Sequence, residues 1–102
     1  MAALTPSYAD VSLVADGAHV ASNGTVVALA PAEMRLMASL LKAQGRSVRR
    51  TVLEMTAWGI WDTVAPGALE AAIRGMQAKL AALGSSVTIS GTAGQAYALA
   101  RA

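Results

Sequence analysis

The chain has 102 residues, enough for one domain with a single core and no staples. It holds no Cys, which excludes a disulfide framework, thiolate chemistry and sulfur-ligated metal sites, and suits a cytoplasmic setting. The formal charge of +2 permits a nucleic-acid partner without demanding one.

Residues 1–8 read as a tail, since Pro6 and its small neighbours offer little to bury, and residues 9–102 read as one domain. From Ala9 to Leu29 the pattern is of short strands. Val11, Leu13 and Ala15 alternate with Ser12 and Val14, Asp16-Gly17 is a hairpin-turn dipeptide, and His19 to Ala21 make a second strand. Asn23-Gly24 is a second such turn, because both central residues want positive φ. Thr25 to Leu29, rich in β-branched residues, make a third strand. The expected arrangement is an antiparallel meander with one face toward the core.

A helix follows from about Pro31 to Gln44. Glu33 lies in its first turn, where a carboxylate favours the helix dipole. Leu36, Met37, Leu40 and Leu41 form its buried stripe, with Met34 near one edge. Lys42 sits in the last turn and Gly45 follows as the stop. Arg46 to Arg50 is a link with three arginines. A short second helix runs from about Thr51 to Trp58, where Thr51 and Glu54 read as a capping box. Val52, Leu53, Met55 and Trp58 give it apolar surface. Gly59 to Ala65 is a loop with Trp61 in its middle.

The third helix spans about Pro66 to Leu83. Leu69, Ile73, Met76, Leu80 and Leu83 recur at steps of four and three, which places five large apolar side chains on one stripe. Pro66 suits a first helical turn and Gly84 a position just past the end. The other side carries Glu70, Arg74, Gln77 and Lys79 among Ala and Gly. Ser86 to Ser90 then alternates as a strand, Gly91 to Gly94 reads as a turn, and Ala96 to Ala100 forms a last strand with Tyr97 and Leu99. No apolar run approaches the roughly 20 residues of a membrane span, and no signal peptide is visible.

Strands, three helices and a closing hairpin are the order of a winged helix-turn-helix, an α+β fold. Residues 23–41, NGTVVALAPAEMRLMASLL, and 45–59, GRSVRRTVLEMTAWG, resemble the winged-helix output domain of OmpR/PhoB-type response regulators. In that family a strand ends in Leu, and a Pro and a Glu open the first helix. A Gly-Arg link, an Arg before the second helix and a Trp-Gly at its end follow. Leu29, Pro31, Glu33, Leu36, Leu40, Gly45, Arg46, Arg50, Leu53, Trp58 and Gly59 stand in matching places. Ile73, Lys79 and Leu80 match in the third helix. Gly94 to Leu99, GQAYAL, resembles the family's Gly-x-Gly-Tyr-x-Leu close, with Ala96 replacing the second Gly.

There are departures. Family members usually carry several basic residues on the outer side of the third helix, where this chain has Gly67, Ala72, Arg74, Gly75, Gln77 and Ala78. The wing's usual Arg is replaced by Ala93. The receiver domain that normally precedes this module is not within these residues, which leaves an excised output domain and a stand-alone relative both open.

The resemblance implies double-stranded DNA binding in bacterial transcription control, with the third helix in the major groove. Arg74 and Gln77, three apart, would read base edges together, since Arg suits guanine and Gln suits adenine. Lys79, Arg50 and Trp58 would lie along the phosphate backbone. Two copies on repeated half-sites are what the family implies. The rival for Arg74 and Lys79 is a solvated helix face in which Glu70 pairs with Arg74. For Trp58 it is packing between the second and third helices. A second function stands beside DNA binding: a protein-interaction module working through the third helix or through Trp61, because aromatics dominate interface hot spots. Enzyme chemistry is not expected. His19 is the only histidine, no zinc-ligand set exists, and the glycines of GTAGQA lead into a strand rather than a helix, so neither metal nor cofactor is expected.

Overall fold

A computed structural model describes residues 7–14, 18–59, 65–92 and 95–101. The N-terminal sheet is antiparallel in the order β1 (Ser7–Tyr8), β2 (Val11–Leu13), β3 (His19–Ser22) and β4 (Thr25–Ala28). Asn23 at φ 52° and Gly24 at φ 80° make the turn that their sequence promised, setting Ser22 opposite Thr25 and Val20 opposite Val27. Val11, Leu13 and Val20 point into the core. The Asp16-Gly17 turn lies outside the described residues. Ser7 and Tyr8, expected in the tail, form the edge strand instead. Two contacts with the end of the first helix capture them. The Gln44 side chain donates to the Ser7 carbonyl at 2.5 Å, and the Tyr8 ring lies against Gly45.

Helix α1 (Pro31–Ala43) touches both sheets and the other two helices. Leu36, Met37, Leu40 and Leu41 are fully buried on it, and Met34 lies partly buried at the edge. It ends with Gln44 and then Gly45 in the left-handed conformation. The chain from there is more ordered than a plain link. Val48–Arg49 form β5, paired with Tyr97 and Ala96 of the last strand. Arg50 N–H then donates to the Gln95 carbonyl at 2.7 Å.

That pairing shifts the second helix. Helix α2 (Arg50–Trp58) begins one residue early, with Arg49 at the cap and no side-chain cap bond. Thr51 is therefore inside the helix, and the expected Thr51–Glu54 capping box does not form; Glu54 pairs with Arg50 at 3.3 Å instead. Leu53 and Ala57 are its buried pair, while Val52 and Met55 turn their part of its apolar surface to solvent.

Helix α3 (Ala68–Ala82) starts later than expected. Gly67, at φ 80°, caps it in a left-handed conformation, so Pro66 stands in the preceding turn. All five stripe residues from Leu69 to Leu83 are buried. The helix closes with Ser85 N–H to the Leu80 carbonyl at 3.1 Å and Gly84 N–H to the Ala81 carbonyl at 3.0 Å, a Schellman pair. Strands β6 (Val87–Thr92) and β7 (Ala96–Arg101) form the hairpin, and β5 makes it a three-stranded sheet in the order β5-β7-β6. Gly91, opposite Tyr97, belongs to β6 rather than to the turn. A Cβ there would stand 2.4 Å from the tyrosine ring, so only glycine admits Tyr97 at this register. The result is a winged helix: an N-terminal antiparallel sheet, three helices and a C-terminal hairpin. Among the described residues no helix is long and apolar enough to cross a membrane.

Candidate nucleic-acid interface

The apolar stripe of α3 turns its opposite side to solvent. Ala71, Arg74, Gln77, Ala78, Ala81 and Ala82 are exposed there. Arg74 makes no ion pair or hydrogen bond with the described residues, so its guanidinium keeps all its donors. The expected rival, a Glu70–Arg74 pair within the helix, is not formed.

Glu70 is instead the hub of a network joining α2, α3 and the hairpin. The Arg50 guanidinium grips its carboxylate with both terminal nitrogens, one at 3.1 Å, and the Tyr97 hydroxyl donates to it at 3.2 Å. The hydrogen bonds from Arg50 hold the Glu70 carboxyl below its ordinary range despite some desolvation, and the Arg50 guanidinium is in turn held more firmly charged. Arg50 is thus engaged by Glu70 and Glu54 rather than reaching outward.

Gln77 is also engaged. Its amide donates to the Ile89 carbonyl at 2.9 Å and accepts from the Ile89 N–H at 3.4 Å, which pins α3 to β6. Between helix and hairpin runs a groove of about 260 Å³ lined by Glu70, Ile73, Arg74, Gln77, Ile89, Gly91 and Tyr97. Ile73 and Ile89 line it with apolar surface, and Arg74 adds a charge without a partner among the described residues.

Lys79 does not join this face. Five residues from Arg74 corresponds to roughly 140° around the helix. It faces α1 and pairs with Glu33, whose carboxylate also accepts the Ala30 N–H at 2.9 Å. Trp58 is partly buried and packs against the core. Of the arginine cluster, Arg46 bonds the Ala43 carbonyl at 3.1 Å, and Arg49 is exposed with no partner among the described residues. Trp61 and Ala93 lie outside the described residues. The structure therefore brings Arg74, Gln77, Glu70 and Arg50 together and leaves Lys79 on another flank. Glu70 and Tyr97 were missed as partners because 27 residues separate them and no periodicity links them. His19 is partly buried on β3, opposite Ala28, and no cluster of metal-ligating side chains occurs among the described residues.

The model for the family "Transcriptional regulatory protein, C terminal" matches residues 24–99. No curated protein matches the chain. Among solved structures, one described as "A novel family of redox sensors in the streptococci evolved from two-component response regulators" superposes with a TM-score of 0.78 at 19% sequence identity. The overlap covers 100% of this chain and 44% of that one, so the chain spans less than half of its length. At that identity the likeness concerns the fold.

Proposed function

This chain belongs to the family of C-terminal domains of transcriptional regulatory proteins, and on that premise we propose that it binds double-stranded DNA through the outer face of α3. In this reading it is the DNA-reading part of a bacterial cytoplasmic regulator of the OmpR/PhoB type, and two copies occupy repeated half-sites. The observation that carries the proposal is Arg74: an exposed guanidinium free of the described side chains, on a face otherwise of small residues, beside a groove toward the hairpin. Small side chains let the helix backbone approach base edges closely, and their methyls suit thymine. Arg74 reads guanine. Gln77 reads an adjacent base by releasing Ile89. Arg50 reaches the phosphate backbone only by releasing Glu70 and Glu54, and Trp58 contacts it from the other end of α2. Lys79 reaches a phosphate only by leaving Glu33.

The second reading is a protein-interaction module using the alanine face of α3 or the Trp61 loop. The engagement of Arg50 by Glu70 favours it, because this removes charge that would supply DNA affinity. Selection from random duplex oligonucleotides at low and moderate salt separates the two. DNA reading predicts enrichment of a repeated motif. It also predicts that Arg74→Ala costs about 1–3 kcal/mol of binding and relaxes one position of the motif. No retention even at low salt supports the interaction module.

A further inference from the structure

We propose that Lys79 is a positioning residue, which with Gly75 seats Glu33 of α1 against α3 and so fixes the rotation at which Arg74 is presented. The inference rests on the DNA-binding reading and departs from the phosphate contact that the family resemblance assigns to Lys79. Three observations converge. The Lys79 ammonium pairs with the Glu33 carboxylate, whose side chain is only 11% exposed. The same carboxylate accepts the Ala30 N–H, so it is fixed to the start of α1 as well. On α3, a Cβ at Gly75 would stand 2.8 Å from the other Glu33 oxygen.

Gly75 and Lys79 are one turn apart, so both lie on the flank facing α1. The helix backbone at Gly75 is the notch and Lys79 is the clasp. Gly75, expected on the outer side of this helix, lies against Glu33 of α1. In this chain it is a seat for Glu33, and a Cβ there would push the Glu33 carboxylate out of its place beside Lys79. Arg74 precedes Gly75 directly, so the azimuth of Arg74 is set by how α3 sits on Glu33. Removing the lysine leaves a largely buried carboxylate without its cation, an expensive state that the helices relieve by shifting.

The test combines Lys79→Met, Lys79→Arg, Glu33→Gln and the double variant Glu33→Gln/Lys79→Met. Each is measured for melting temperature, for the slope of log Kd against log salt, and for the ratio of affinities between the selected and random duplexes. Positioning predicts that Lys79→Met lowers the melting temperature and the affinity ratio severalfold while the salt slope stays at its wild-type value. Lys79→Arg restores the ratio. The double variant is no worse than Lys79→Met alone, since both remove one interaction. A salt slope reduced by about one ion in Lys79→Met, with an unchanged melting temperature and a silent Glu33→Gln, identifies a phosphate contact and overturns the proposal. Where wild-type protein retains no DNA, the DNA-binding reading fails separately. Additive losses of melting temperature across the four proteins would then reject the clasp, and non-additive losses would keep it.

Discussion

Asp10 accepts hydrogen bonds from three serine hydroxyls: Ser22 on β3, Ser85 at 2.8 Å and Ser86 at 2.6 Å. It thereby ties the N-terminal sheet to the turn that closes α3. The bond from Ser22, then those from Ser86 and Ser85, hold its carboxyl well below the usual carboxylate range. A depressed folded value means that the ionised form stabilises the fold above the unfolded value, about 3.9, and that this is lost as pH falls toward the folded value. Asp10→Asn should therefore lower the melting temperature near neutral pH. The gap from wild type should stay constant down to about pH 5 and narrow below about pH 4. Thermal melts across that range check it, and a gap that ignores pH would remove the charge from the account. Nothing in the sequence pointed to this cluster, because Asp10 and Ser86 are 76 residues apart and serine hydroxyls are scattered throughout the chain. Arg74 was legible, since helical spacing alone places it opposite the buried stripe. Lys79 was not: spacing gives its angle on the helix but not the carboxylate packed against that angle.

At the scale of elements, hydrophobic periodicity carried most of the reading. The α3 stripe, the α1 stripe and the Asn23-Gly24 turn are local signals, and local structure obeys them. Leu80 is the sharpest check, being 1% exposed in the middle of the α3 stripe. Leu80→Ala should destabilise the fold by about 2–5 kcal/mol through lost burial and a residual cavity, and denaturant unfolding measures this directly. An unmoved midpoint would contradict the packing of α3 on α1. What the periodicity missed was set by distant partners. Strand β5 has two residues and no pattern of its own; it exists because Arg49 and Val48 find Ala96 and Tyr97. That pairing moves the start of α2 and dissolves the Thr51–Glu54 cap. Gly67 similarly delays α3 past Pro66, since its left-handed conformation cannot sit within a helix.

At the scale of the molecule, internal pairing leaves the formal charge of +2 unchanged but limits which cations can face a partner. Two of its cations, Arg50 and Lys79, are paired with carboxylates between elements, which stiffens the frame while muting the field. Arg74, Arg49, Lys42 and Arg101 are left exposed, their side chains without partners among the described residues. A DNA reader built this way depends on fit at α3 and the hairpin more than on long-range attraction. The most direct measurement is a two-dimensional NMR titration of the whole chain with a short random-sequence duplex at low salt. The account predicts that the resonances that move belong to α3 from Glu70 to Ala78, to Ile89–Gly91, and to the Arg74 guanidinium. Shifts confined to the exposed side of α2 or to β3 and β4, with the α3 face unmoved, would contradict it.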